Sequence, residues 1–102
     1  MIKRIVKLSF EPEKVDTFLS VFDESKNKIR QFAGCVHLEL FRCKAPDNIF
    51  FTYSFWESEQ ALNQYRNSNL FKSTWKKTKQ LFNDKPEAWS VEVLFDSRTD
   101  NS

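Results

Sequence analysis

Four stretches of the chain alternate between apolar and polar residues, and two longer stretches repeat apolar residues at intervals of three and four. Alternation with a period of two is typical of strands, because neighbouring side chains point to opposite faces of a sheet. The longer spacing predicts amphipathic helices. The predicted strands cover residues 2–10, 35–43, 49–56 and 89–95, and the predicted helical regions cover residues 13–31 and 58–82.

Turn and cap signals fall where these elements meet. Gly34, the single glycine, follows the first helical region and suits a backbone that needs a positive φ. Ser58 is the predicted N-cap of the second helical region. Residues 67–69 read Asn-Ser-Asn, which are residue types that favour caps over helix interiors, so we expect a break there. Ser68 or Asn67 would then cap the segment that follows.

The connection between the second and third strands, residues 45–48, reads Ala-Pro-Asp-Asn and predicts an antiparallel hairpin. The complete order of elements is β-α-β-β-α-β. It predicts an α+β fold of the ferredoxin-like kind, in which helices cross one face of an antiparallel four-stranded sheet.

The third strand is apolar on both faces. Alternation puts Phe51, Tyr53 and Phe55 on one face, and the opposite face carries Phe50, Thr52, Ser54 and Trp56. Two helical regions can cover only one of these faces, and soluble monomers rarely expose a large apolar patch. We therefore expect a homodimer in which the open sheet faces pack against each other.

The same alternation assigns faces on the second and last strands. On the second strand, one predicted face carries Val36, Leu38 and Leu40, and the other carries Cys35, His37, Glu39 and Phe41. On the last strand, one predicted face carries Trp89, Val91, Val93 and Phe95. Trp89 and Ser90 are expected to belong to the sheet or to the dimer interface.

The length of the chain limits the number of domains, and its net charge limits the kinds of partner that it can bind. A chain of 102 residues is one domain, predicted over residues 1–96, with a flexible tail over residues 97–102. A net charge of +2 argues against a nucleic-acid partner, since such binding needs concentrated positive charge. The lysines at 76, 77 and 79 fit the solvated face of a helix.

No segment predicts a signal peptide or a membrane span, so we expect a cytoplasmic protein with no membrane partner. Cys35 and Cys43, eight residues apart on one strand, are expected to stay reduced.

Three short motifs occur in order along this pattern. They are Phe32-Ala33-Gly34-Cys35, Trp56-Glu57-Ser58, and Tyr65-Arg66-Asn67-Ser68 followed by Phe71. Together, over residues 2–95, they resemble the antibiotic biosynthesis monooxygenase (ABM) superfamily of dimeric α/β barrels. The resemblance implies an enzyme without metal or prosthetic group. Known members oxidise quinols or polyketide anthrones, degrade haem as a substrate, or isomerise small phosphorylated sugars, and some have no demonstrated activity.

The resemblance also indicates which of these reactions to discount. Haem-degrading members carry an Asn on the first strand, a Trp in the second helical region and a His one helical segment later. The corresponding positions here are Val6 or Lys7, Tyr65 and Trp75, so we expect haem to be neither ligand nor substrate. Quinol-oxidising and sugar-isomerising members often carry a His further along this helix, where this chain has Leu70.

The candidate catalytic residues are His37, Tyr65 and Trp75, and the candidate substrate-binding residues are Tyr53, Trp56, Arg66, Asn67 and Phe71. His37, near Glu39, is either a general base or an ordinary hydrogen-bonding residue. Tyr65 and Trp75 either stack on a planar substrate or belong to the core. Trp56 fits a structural anchor as well as a pocket wall, and Arg66 and Asn67 bind a ligand anion or serve as surface and capping residues.

Two hypotheses remain open. One is a monooxygenase that needs no cofactor and oxidises a small planar aromatic molecule with O₂. The other is a non-catalytic dimer of the same fold that binds a small aromatic ligand and releases it unchanged.

Overall fold

The computed structural model describes residues 1–98. Within them, one sheet is formed by β1 (Ile2–Ser9), β2 (Cys35–Arg42), β3 (Ile49–Trp56) and β4 (Glu87–Val91). The helices are a 3-10 turn at Pro12–Lys14, α1 (Val15–Arg30), α2 (Glu59–Arg66) and α3 (Asn69–Lys79). Every neighbouring pair of strands is antiparallel, and the strand order is β2-β3-β1-β4. The predicted α+β, ferredoxin-like fold is confirmed.

The predicted caps and turn are present. The Ser58 hydroxyl accepts a hydrogen bond from the backbone N–H of Ala61 at 3.1 Å, and the Ser68 hydroxyl accepts one from Phe71 at 3.1 Å. The second helical region is therefore broken at Ser68, as the sequence predicts. Gly34 has a φ of +90°, and a Cβ at this position would collide with the Cβ of Ala61. Only glycine fits both this conformation and this close approach.

The hydrophobic core lies between the helices and one face of the sheet. Its larger cluster consists of Leu8, Phe10, Val15, Phe18, Phe50 and Leu81. A smaller cluster consists of Cys35, Trp56 and Leu62. Phe10 is completely buried and stacks on Phe18 with ring centroids 4.1 Å apart. Through these two clusters, β1 and β3 pack against α1, and β3 packs against α2.

The opposite face of the sheet, which we call the open face, is aromatic and half exposed. It carries Lys3, Ile5, His37, Glu39, Phe41, Phe51, Tyr53, Phe55, Trp89 and Val91. Tyr53 and Phe55 are in edge contact at 4.9 Å, and the Lys3 ammonium lies 4.1 Å from the Phe55 ring centroid. Trp89 is 46% exposed. The predicted two-sided apolar character of β3 is confirmed.

The structure corrects the predicted face of Cys35. Cys35 pairs with Trp56, but His37 pairs with the next residue back on β3, Phe55, so Val36 is an extra residue in the ladder. This bulge reverses the alternation. Cys35 consequently faces the helices and is buried, whereas His37 faces the open side. Cys35 and Cys43 are both free thiols, as the sequence predicts.

The last strand is shifted from its predicted position. β4 begins at Glu87 and ends at Val91, and Val93 and Phe95 lie beyond it with exposed side chains. The physical reason is that β4 pairs with β1 alone, and its pairing ends where Val91 meets Lys3, near the start of β1. Of the predicted flexible tail, residues 97 and 98 form part of a turn, and residues 99–102 lie outside the described residues.

Candidate functional site

A cavity of about 350 Å³ lies between the helices and the covered face of the sheet. The sheet contributes alternate residues of β1 and β3 and one residue each of β2 and β4, and the helices contribute residues from α1, α2 and α3. Its walls are formed by Arg4, Val6, Leu8, Leu38, Thr52, Ser54, Trp56, Phe18, Val21, Phe22, Ser25, Ile29, Leu62, Tyr65, Arg66, Phe71, Thr74, Trp75, Thr78, Pro86 and Ala88. The volume is within the range of small-molecule sites, roughly 300–1,000 Å³.

One wall of the cavity is a continuous chain of aromatic rings. Tyr65 stacks on Trp56 at 4.8 Å and meets Phe71 edge-on at 5.3 Å. Phe71 in turn lies nearly parallel to Trp75, with a 9° angle between the planes and 5.9 Å between the centroids. The break at Ser68 allows this arrangement, because it lets α2 supply Tyr65 and α3 supply Phe71 and Trp75 to the same wall.

Only some of these aromatic side chains have a hydrogen-bond partner for their polar atom. The Trp56 indole N–H donates to the Ser54 hydroxyl at 2.9 Å, and Trp56 is only 1% exposed. The Tyr65 hydroxyl and the Trp75 indole N–H form no hydrogen bond with any residue that the structure describes. The indole N–H of Trp56 therefore has its partner within the fold, whereas Tyr65 and Trp75 carry polar atoms that no described residue engages.

Burial also fixes the protonation state of Tyr65. Removal from water raises the pKa of its hydroxyl well above the ordinary value of 10.0, and the nearby Cys35 thiol raises it further. Tyr65 is therefore a neutral phenol at neutral pH. It can donate a hydrogen bond to a ligand oxygen, but it cannot act as a base there.

Two arginines are the only charged side chains in the walls of the cavity among the described residues. Arg4 extends from β1, and its Nη1 donates to the Ser90 hydroxyl at 3.2 Å. Arg66 lies in the last turn of α2 and is exposed. Burial lowers the pKa of Arg4, and the charge of Arg66 lowers it further. The charged groups that line the cavity within the described residues are therefore both positive.

The sheet separates His37 from the cavity. Its Nε2 lies 3.0 Å from a carboxylate oxygen of Glu39, and its ring is 4.9 Å from that of Phe55, all on the open face. Tyr53 is also on the open face. The structure thus does not bring His37 or Tyr53 together with Tyr65 and Trp75.

The remaining sequence candidates divide between the cavity and the surface. Trp56, Arg66 and Phe71 line the cavity. Asn67 caps the end of α2, and its side-chain amide donates to the Asn63 carbonyl at 2.9 Å. Sequence reasoning missed Arg4. The sequence does contain a signal for Arg4, because Arg4 shares a strand face with Val6 and Leu8. A charged residue on such a covered apolar face is unusual.

Residues 1–77 match the sequence profile of the family described as antibiotic biosynthesis monooxygenase. The chain belongs to this family. No curated protein matches the chain. The ABM assignment agrees with the motifs that the sequence carries in β2, β3 and the second helical region.

Solved structures show the same ABM fold. A crystal structure of an antibiotic biosynthesis monooxygenase is 20% identical, covers 92% of this chain and 99% of its own, and has a TM-score of 0.87. A conserved protein from Methanosarcina mazei Go1 is 20% identical, covers 88% and 89%, and has a TM-score of 0.84. Rv0793 from Mycobacterium tuberculosis is 16% identical, covers 94% and 97%, and has a TM-score of 0.85. At these identities the likeness shows the fold alone.

Among the described residues, no helix is both long and apolar enough to cross a bilayer. In the same part of the chain, no three His, Cys, Asp or Glu side chains come together as a set of metal ligands.

Proposed function

We propose that this ABM protein is a cofactor-independent monooxygenase that oxidises a small planar aromatic substrate, quinol-like or anthrone-like, with O₂. The observation that carries the proposal is the aromatic cavity of about 350 Å³ between helices and sheet. A planar ring system can lie along the wall formed by Tyr65, Phe71 and Trp75. Membership of the family supports oxidation as the reaction class, and the aromatic wall of the cavity supports a planar substrate.

The chemistry needs little from the protein. The anion of an electron-rich phenol or anthrone transfers an electron to O₂ by itself, so the site must desolvate, orient and ionise the substrate. With an anthrone, one oxygen atom of O₂ becomes the new ring carbonyl. The other oxygen leaves as water with the two hydrogens of the ring methylene. Both electron pairs come from the substrate, and no external reductant is required.

The cavity residues fit this chemistry in distinct roles. Phe71 and Trp75 would hold the faces and edges of the rings, and the neutral Tyr65 hydroxyl would donate to a ring oxygen. Arg66 would favour the substrate anion through its positive charge. We propose no role for Asn67, because its amide already donates to Asn63 and the residue is not part of the cavity walls.

The proton must leave without a protein base in the cavity. Among the described residues, its walls include no His, Asp, Glu, Lys or Cys. A positive potential lowers the pKa of a bound phenol, so we propose that the substrate ionises by transfer of its proton to water at the cavity mouth. This requirement limits the substrate to molecules whose hydroxyl or methylene group is already acidic.

The same absence of a base favours a second candidate function. A non-catalytic ABM protein that binds an aromatic ligand and releases it unchanged would need the cavity and the arginines, and nothing else.

We propose that the protein is a homodimer joined through the open face. Members of the family often form dimers. Trp89, Phe41 and Val91 are exposed large apolar residues on this face. A sheet-to-sheet pair would cover them, and interfaces of this obligate kind bury on the order of 2,000 Å². The cavity lies on the other side of the sheet, so each protomer would keep its own site.

Oxygen uptake by metal-free protein with a panel of quinols and anthrones tests the reaction. We expect protein-dependent uptake that falls at least about tenfold in Tyr65→Phe and Trp75→Phe, because one hydrogen bond or one ring contact is lost. The exposed Lys72 on α3 provides a control, Lys72→Gln, that should retain wild-type uptake. His37→Ala separately tests His37, the general base that the sequence suggests. Absence of uptake across the panel would favour the binding function.

A further inference from the structure

The two cavity arginines lie on separate elements of the fold. Arg4 belongs to β1, and Arg66 belongs to α2, about sixty residues later in the chain. Alternation along β1 directs Arg4 to the covered face with Val6 and Leu8, although the neighbouring Lys3 is on the open face. The fold thus brings two guanidinium groups to the walls of one largely apolar cavity.

No carboxylate of the described residues neutralises either guanidinium. In the part of the chain that the structure describes, Arg4 and Arg66 form no ion pair with a carboxylate. Arg4 donates one of its N–H groups to Ser90, which is uncharged, and among the described residues its other N–H groups have no acceptor, so they can serve a ligand. Two like charges beside a low-dielectric cavity repel each other, and an anion between them removes that repulsion.

We propose that the ligand of this cavity is a planar aromatic carboxylic acid whose carboxylate binds Arg4 and Arg66. The inference rests on the proposed function, since it assumes that the aromatic wall accepts a ring system. Guanidinium groups match carboxylates through paired N–H donors, and the apolar walls suit an otherwise uncharged ring body. The carboxylate would lie against the two arginines and the rings along Tyr65 and Trp75.

A fixed carboxylate also orients the substrate for oxidation. An aromatic body alone can slide along a wall of stacked rings, because stacking has little directional preference. An anchor at one end fixes which ring oxygen meets the Tyr65 hydroxyl. One carboxylate offsets only one of the two positive charges, and the remaining positive charge lowers the pKa of a phenol or anthrone in the same molecule.

The test compares two ligands that differ only in charge, anthraquinone-2-carboxylate and anthraquinone-2-carboxamide. Both ring systems are already oxidised, so binding is measured without turnover, by titration calorimetry at low salt. We expect the carboxylate to bind wild type about 10- to 100-fold more tightly than the amide, as for hydrogen bonds between charged groups. Arg4→Gln and Arg66→Gln should each remove most of this preference, with a larger loss of affinity for the carboxylate than for the amide.

Lys72→Gln is the matched control, because it removes one positive charge from the surface of α3 and should keep the full preference. Arg66 is exposed, so Arg66→Gln remains informative if Arg4→Gln proves unstable. Equal binding of both ligands to wild type would overturn the inference and leave the aromatic cavity in place. A preference that survives both arginine changes would overturn it as well. If neither ligand binds, the aromatic cavity and the inference both fail. A phenyl phosphate that binds more tightly than the carboxylate would also contradict the proposed ligand class.

Discussion

The ring of Tyr65 stacks on the indole of Trp56, with centroids 4.8 Å apart and planes inclined by 25°. This contact joins α2 to the end of β3 and forms part of the cavity wall. Trp56 is fixed by its own hydrogen bond to Ser54, so it is the rigid partner of the pair. The orientation of Tyr65 in the cavity wall therefore depends on this stack.

Tyr65→Phe and Tyr65→Ala separate the hydroxyl from the ring. The phenylalanine variant keeps the stack and loses a hydroxyl without a partner among the described residues, so we expect its free energy of unfolding to change by less than about 1 kcal/mol. The alanine variant removes the ring, and we expect a loss of about 3 kcal/mol. Urea unfolding followed by circular dichroism measures both. Similar losses in the two variants would show that the hydroxyl itself supports the fold.

Ser54→Ala leaves the buried indole N–H of Trp56 without its acceptor. An unsatisfied buried donor costs about 1–3 kcal/mol, and we expect urea unfolding to show a loss of that size. The matched background is Trp56→Phe, in which the donor is absent. There the same Ser54→Ala change should have an effect of less than about 0.5 kcal/mol. Equal losses in both backgrounds would mean that Ser54 contributes through packing alone.

Tyr65 also predicts a dependence of stability on pH. Its pKa is above 10.0 in the folded state because of burial, and near 10 in the unfolded chain. Above about pH 10 the folded state then holds one more proton than the unfolded state, so stability falls as pH rises. Its contribution is fully present below that pH and is lost as the folded pKa is approached. Urea unfolding at several pH values from 9 upward should show a steeper fall for wild type than for Tyr65→Phe. Parallel curves would contradict the raised pKa.

The homodimer is tested through Trp89, which is 46% exposed on the open face. Sedimentation equilibrium at micromolar concentration should give twice the 12.2 kDa of one chain. Trp89→Lys places a charge in the proposed interface and should shift the mass towards a single chain, whereas Lys72→Gln on the far side should not. A wild-type mass of 12.2 kDa would contradict the dimer.

Several structural features followed directly from residue patterns. Alternation along β3 separated Phe50 and Trp56 from Tyr53 and Phe55, and small polar residues marked the caps at Ser58 and Ser68. These features are local, because a strand face or a cap depends on a few neighbouring residues. The local signals were sufficient for the order of elements and for the break in the second helical region.

Other features depend on contacts between distant residues. The extra residue Val36 has no local signal, because Cys-Val-His reads as ordinary alternation and only pairing with β3 reveals the bulge. The location of His37 depends on which sheet face the helices cover. The cavity exists because side chains from α1, α2, α3 and the sheet leave a space unfilled, and periodicity does not record such a space. Arg4 falls between these two groups of features. The strand face of Arg4 is predictable from alternation, but only the folded chain shows that Arg4 and Arg66 line the same cavity.

The three tryptophans allow the most direct test of the claim that the cavity binds a planar aromatic ligand. Trp56 and Trp75 line the cavity, and Trp89 lies on the open face. In a ¹H–¹⁵N spectrum, titration with the redox-inert anthraquinone-2-carboxylate should move the indole signals of Trp56 and Trp75 and leave that of Trp89 in place. Movement of the Trp89 signal alone, or of none of the three at saturating ligand, would contradict the account.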